Sequence, residues 1–130
     1  ERHALLCGPD AFMQAFEAHY TEAGLSTRLR SESFGRRAAP LDPAASRHAV
    51  THGKPEQMFT ATSGQSLLEA AEAAGLQPRF GCRRGICMSC QCRKHSGTVK
   101  NLLTGQLSSP GEELIQLCIS TPQSAVELAL

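Results

Sequence analysis

The chain opens on a short apolar run, His3-Ala4-Leu5-Leu6-Cys7, stopped by Gly8-Pro9. Such a run suits a buried strand. Pro9 suits the first turn of a helix, where its missing N–H costs nothing. Phe12, Ala15, Phe16, His19 and Ala23 then recur at helical spacing, and Gly24 is a natural C′ residue. Residues 27–34 read as a returning strand. Residues 2–34 are therefore a β-α-β unit, too small to cover both faces of a parallel sheet, and they look like the end of a larger α/β domain.

From residue 35 to 46 the periodicity disappears. Gly-Arg-Arg-Ala-Ala-Pro-Leu-Asp-Pro-Ala-Ala-Ser combines two prolines with small residues and reads as a semi-stiff linker. Pattern returns at Arg47. Two strand candidates, 48–52 and 57–62, flank Gly53-Lys54-Pro55 and suggest a hairpin. Ser66-Leu-Leu-Glu69 is a capping box opening a helix with Leu67, Leu68, Ala71 and Ala74 on its buried face, closed by Gly75. A loop rich in Cys and Gly fills 80–90. Strands are expected at 91–95, 114–119 and 125–130. Hairpin, helix, loop and late strands make a small α+β domain over 47–130.

Composition narrows the class. With 41% apolar residues, 19% charged and a net charge of +1, the 130-residue chain is expected to bind neither nucleic acid nor a membrane surface. No apolar run approaches the roughly 18–20 residues that span a bilayer. The first residues do not form a signal peptide, and the absence of an initial Met suggests processing or excision from something longer. Six cysteines without secretory signals point to metal or redox chemistry in a reducing compartment, the cytoplasm.

The cysteines carry the chemistry. Cys82, Cys87 and Cys90 give C-x4-C-x2-C, with Cys118 far downstream, which is the spacing of a plant-type [2Fe–2S] site. Two tetrahedral irons need two thiolates each. One irregular loop can supply three, and the fourth must come from a distant element, here the apolar run around Cys118. Gly81 and Gly85 let the loop turn its N–H groups toward the sulfurs. A structural zinc site would show paired C-x2-C knuckles, and only Cys87 and Cys90 form one. A Rieske centre would need two His ligands. Cys92 is expected to be a buried core thiol, and Cys7 stands outside the domain. His3, His19, His48, His52 and His95 do not cluster in sequence.

Taken together, Gln65-Ser-Leu-Leu-Glu-Ala-Ala-Glu-Ala-Ala-Gly75, Phe80-Gly-Cys-Arg-Arg-Gly-Ile-Cys-Met-Ser-Cys90 and Leu117-Cys118 resemble the 2Fe-2S ferredoxin-type domain. The resemblance implies a β-grasp (ubiquitin-like) fold. It also implies that Cys82 and Cys87 hold the outer iron and Cys90 and Cys118 the inner one. Leu6-Cys-Gly-Pro-Asp-Ala-Phe-Met13 and Glu32-Ser-Phe34 resemble the last β-α-β unit of ferredoxin–NADP⁺ reductase-type nucleotide domains. The pair looks like the C-terminal end of an NAD(P)H:flavin reductase fused to its own ferredoxin. That resemblance implies a flavin reductase domain as electron donor and an oxygenase or other metalloprotein as acceptor.

The flavin-binding barrel and the Gly-rich phosphate turn of that family are not in this sequence. FAD or FMN and NAD(P)H are expected only in a complete parent protein, no catalytic residues are assigned, and Cys7-Gly8-Pro9 is a vestige. Two other readings stay open: part of an oxidoreductase whose sites lie in upstream sequence, and a structural zinc module. Arg79, Arg83, Arg84, Arg93 and Lys94 lie near the ligands. A cationic collar of this kind is expected to raise the potential above the ~ −400 mV of plant-type ferredoxins and to favour an acidic partner.

Overall fold

The computed structural model describes residues 2–32 and 42–130. The end of the expected second strand (33–34) and most of the expected linker (35–41) lie outside the described residues. The chain divides into two compact units, Glu1–Arg37 and Ala38–Leu130.

In the first unit, β1 (Ala4–Cys7) pairs in parallel with β2 (Leu29–Glu32), and α1 (Asp10–Glu22) crosses between them. The expected β-α-β order is present. Helix α1 ends in a Schellman turn: Gly24 N–H bonds to Thr21 C=O and Leu25 N–H to Tyr20 C=O, with Gly24 at φ 68°. Its buried face differs from the one expected. Met13 is fully buried, with Glu17 and Tyr20 half-buried, whereas Phe12, Ala15, Phe16, His19 and Ala23 are exposed. Two strands present too narrow a strip to cover the whole apolar face of a helix. The aromatics instead cover one another, Phe12 on Phe16 at 5.1 Å and Phe16 on Tyr20 at 6.2 Å between centroids.

The second unit is a mixed sheet wrapped on one helix. Strands β3 (Arg47–His52) and β4 (Gln57–Thr62) form the expected antiparallel hairpin. Helix α2 (Leu67–Ala73) begins at a complete capping box, Ser66 Oγ accepting from Glu69 N–H and Glu69 accepting from Ser66 N–H. Then follow β5 (Gln91–Ser96), β6 (Val99–Asn101), β7 (Glu113–Gln116), a 3-10 turn (Leu117–Ile119), β8 (Ser120–Pro122) and β9 (Val126–Leu128). The five-stranded sheet runs β4-β3-β9-β5-β7. Its β3–β9 pair is parallel and its other pairs are antiparallel; β6 and β8 form a separate ribbon. This is the α+β, β-grasp arrangement.

Helix α2 lies against β4, β8 and the 3-10 turn, and its Leu67, Leu68, Ala70 and Ala71 enter the core with Val50, Val126 and Leu128. Ala74, expected on that face, is the exposed C-cap, one residue past the end of the helix, and Ala70 joins the buried face instead. The expected strand 114–119 also stops early. Beyond Gln116 the backbone tightens into the 3-10 turn, where Ser120 Oγ donates to Gln116 C=O at 2.7 Å. Cys118 therefore sits on a turn rather than a strand.

Candidate metal centre

The loop between α2 and β5 has no regular structure, and its shape comes from left-handed residues. Gly85 has φ 79°, and two non-glycines, Arg83 (φ 55°) and Met88 (φ 62°), join it in a region that side chains seldom occupy. The consequence is a run of backbone N–H groups turned inward onto sulfur. Cys82 Sγ accepts from the N–H of Arg84 (3.3 Å), Ile86 (3.4 Å) and Cys87 (3.3 Å). Cys87 Sγ accepts from the N–H of Cys82 (3.2 Å) and Ser89 (3.4 Å). Such a concave ring of amides is an anion nest.

The two ends of the site differ in electrostatics. At the solvent side, the N–H groups of Cys87, Arg84 and Ile86 pull the Cys82 thiol down to about 6. The Ser89 hydroxyl, then the N–H groups of Cys82 and Ser89, lower that of Cys87. Inside, Cys90 and Cys118 are both buried and adjacent. Burial first, and then the neighbouring Cys90, push the Cys118 thiol up to about 12, partly offset by a hydrogen bond from Gly85 N–H. The four sulfurs thus form an outer pair ringed by amide N–H groups, both thiols lowered, and an inner pair that is buried.

Glycine 81 is cut to this site. A Cβ there would lie 2.7 Å from Cys87 Sγ and 3.0 Å from Ser89 Oγ. Among the described residues, no three Cys, His, Asp or Glu side chains are placed to hold one metal ion. Two outer and two inner thiols offer what a two-iron cluster needs, two thiolates to each iron. The donor set fits a [2Fe–2S] cluster.

The remaining cysteines fall where the sequence places them. Cys92 is buried on the core side of β5, its thiol pushed up by burial. Cys7 is exposed at the end of β1 in the other unit.

Three of the five cations in the expected collar are engaged by other groups. Arg83 forms a two-pronged ion pair with Glu72 while lying over the Phe80 ring at 4.2 Å. Arg93 pairs with Glu112. Lys94 is fully buried, its Nζ donating to the carbonyls of Ser109 (2.9 Å) and Gly111. Its place on β5 alternates inward with Cys92, so the ammonium is spent holding a loop to the sheet. The inward N–H groups, which contact sulfur directly, add to whatever these cations contribute.

One residue escaped the sequence reading. Gln116, on β7, donates from Nε2 to Gly85 C=O (2.9 Å) and to Met88 Sδ (2.8 Å), gripping two of the three left-handed positions of the loop. A signal existed: an amide inside the apolar run Leu114-Ile-Gln-Leu-Cys-Ile, two residues before a candidate ligand.

Residues 50–123 match the family described as 2Fe-2S iron-sulfur cluster binding domain. The chain belongs to that family. Its 2Fe-2S domain transfers electrons through a [2Fe–2S] cluster, and the zinc alternative finds no support. The chain is similar to an NADPH oxidoreductase of Mycobacterium tuberculosis, 37% identical over 120 residues that make up 92% of this chain and 31% of that protein. It is similar to NADH oxidoreductase HCR of Escherichia coli, 31% identical over 98% of this chain and 39% of that protein. Among solved structures, phthalate dioxygenase reductase aligns with 98% of this chain and 40% of its own, with a TM-score of 0.52 and 26% identity. The chain spans between 31% and 39% of the length of those two oxidoreductases.

Proposed function

We propose that Cys82, Cys87, Cys90 and Cys118 hold the [2Fe–2S] cluster and that residues 47–130 are the ferredoxin module of an NAD(P)H-dependent flavin reductase chain. Residues 1–34 are then the remnant of its nucleotide-binding domain and 35–46 the linker. The carrying observation is the division of four sulfurs into an outer pair ringed by N–H groups and a buried inner pair.

When bound, the cluster accepts and releases one electron at a time. The protein residues make that exchange favourable and local. The N–H groups of Arg84, Ile86, Cys87 and Ser89 face sulfur and offset the charge added on reduction. Leu117 and Ile119, both buried, keep water from the inner pair. Cys87 is exposed, which sets the outer pair at the edge where a partner's redox centre can approach.

A flavin reductase domain as donor is supported by matches to two oxidoreductases that cover 92% and 98% of this chain and so reach into the β-α-β unit. Phthalate dioxygenase reductase, a modular structure for electron transfer from pyridine nucleotides to [2Fe–2S], carries a dioxygenase in its name, which supports an oxygenase or other metalloprotein as acceptor here. The flavin and NAD(P)H belong to the parent protein. This chain has six cysteines, four of them assigned to the cluster, which suits a reducing compartment, the cytoplasm. Among the described residues no helix is long and apolar enough to cross a membrane.

Single Cys→Ser variants test the ligand set. Iron content and the visible spectrum are expected to collapse in Cys82→Ser, Cys87→Ser, Cys90→Ser and Cys118→Ser, and to stay intact in Cys92→Ser and Cys7→Ser. Full loss of the cluster from Cys92→Ser would overturn the assignment.

A further inference from the structure

A peptide group joins Gln116 to Cys82. The Gln116 amide donates to the carbonyl of Gly85 at 2.9 Å. That carbonyl shares its plane with the N–H of Ile86, and in a trans peptide the two point in opposite directions. The Ile86 N–H reaches Cys82 Sγ at 3.4 Å. Fixing the carbonyl from one side therefore aims the amide at the sulfur on the other. The two bonds in series also polarise the same peptide, which strengthens each. The second contact of Gln116, to Met88 Sδ at 2.8 Å, anchors its amide plane on the far limb of the loop.

The neighbouring peptide is held as well. Gly85 N–H donates to Cys118, so the two peptides meeting at Gly85 each present an amide to a different sulfur. With no side chain and φ at 79°, Gly85 is easily turned, and nothing in its own covalent structure fixes this arrangement. Ile119 fills the space where a Cβ would stand, 2.8 Å away. Packing thus limits Gly85 on one side and Gln116 holds it on the other.

We infer that Gln116 is a positioning residue that raises the reduction potential of the cluster by aiming the Gly85–Ile86 peptide at Cys82. The inference rests on Cys82 being a ligand. Reduction adds negative charge, an N–H directed at sulfur stabilises that charge, and loss of its alignment favours the oxidised form. The potential must therefore fall when the amide is removed.

The test uses the full chain loaded with cluster. Gln116→Met keeps the length and neutrality of the side chain and removes the donor; Gln116→Leu is a second neutral replacement. Leu114→Ala, an exposed neighbour on the same strand, is the control. Midpoint potentials come from spectroelectrochemistry, and exchangeable-proton couplings of the reduced cluster from electron–nuclear double resonance. A negative shift is expected in both Gln116 variants, with one strong coupling weakened, while Leu114→Ala matches the parent. Loss of the cluster from both variants with the melting transition retained would overturn the inference, making Gln116 a residue of cluster assembly rather than of potential. Unchanged potential and couplings would overturn the inference, and so would disappearance of the melting transition itself, which would make Gln116 a general stability residue. A normal cluster in Cys82→Ser would instead defeat the ligand assignment beneath it.

Discussion

Gly81 and Gly85 are required by different neighbours, and their alanine variants should fail differently. At Gly81 the added Cβ meets Cys87 Sγ at 2.7 Å, so Gly81→Ala displaces a proposed ligand sulfur. Its cluster yield is expected to drop while the cluster-free chain melts close to the parent. At Gly85 the Cβ meets Ile119 at 2.8 Å, in a left-handed conformation that costs an alanine about 1–2 kcal/mol. With overpacking of roughly 1–3 kcal/mol added, Gly85→Ala should lower both cluster yield and stability. Chemical denaturation with iron analysis separates the two cases. The cysteine spacing and these glycines were legible in the sequence because tetrahedral iron and tight backbone impose residue types at short range. Lys94 and Gln116 were not. Each acts on a segment far away along the chain, Lys94 on 109 and 111 and Gln116 on 85 and 88, and a charged or amide side chain carries no mark of what it will reach.

Turns govern how well each element could be read. Helix α2 begins where its capping box says, and both helices end in Schellman turns at glycine, Gly24 and Gly75. Ser66→Ala is expected to cost about 1 kcal/mol in a denaturant melt, since Glu69 N–H loses its acceptor. The apolar run at 114–119 misleads because burial on both sides looks the same for a strand and for a 3-10 turn. Strands β6 and β8 are three residues each, too short to show alternation. Between β5 and β6, Gly97 stands at φ 89° with the Ala125 carbonyl only 2.0 Å from where a Cβ would lie. That oxygen belongs to rigid backbone and cannot move aside alone. Gly97→Ala should therefore destabilise the domain by roughly 2–5 kcal/mol from strain and overpacking together, read as a lowered denaturation midpoint without change in the cysteine loop's spectrum in the fraction that folds.

At the scale of the whole molecule, the two units have unequal means of holding themselves together. The ferredoxin unit has a continuous core, and the proposed ligation ties the 80–90 loop to the turn at Cys118, which would add to folding free energy on binding. The β-α-β unit buries only Leu6 and Met13 among its described apolar residues and leaves Leu5, Phe12 and Phe16 exposed. Amide hydrogen exchange is expected to be faster across α1 than across α2, and removal of residues 1–46 should leave cluster content unchanged. Equal, slow exchange in both helices of a dilute monomer would show that α1 is independently stable. The β-grasp could be anticipated because hairpin, capped helix and cysteine loop follow one another in order. The exposed face of α1 could not, because its apolar spacing reports what a helix is suited to cover rather than what is present to be covered.

The most direct measurement is an anaerobic reductive titration of the purified chain, followed by optical and electron paramagnetic resonance spectroscopy with iron and sulfide analysis. A chain that holds a [2Fe–2S] cluster on Cys82, Cys87, Cys90 and Cys118 is expected to contain iron and acid-labile sulfide in equal amounts. It should bleach with uptake of about one electron and develop about one spin per cluster. A colourless protein containing zinc, or an iron protein that takes up no electron in this titration, would contradict the account.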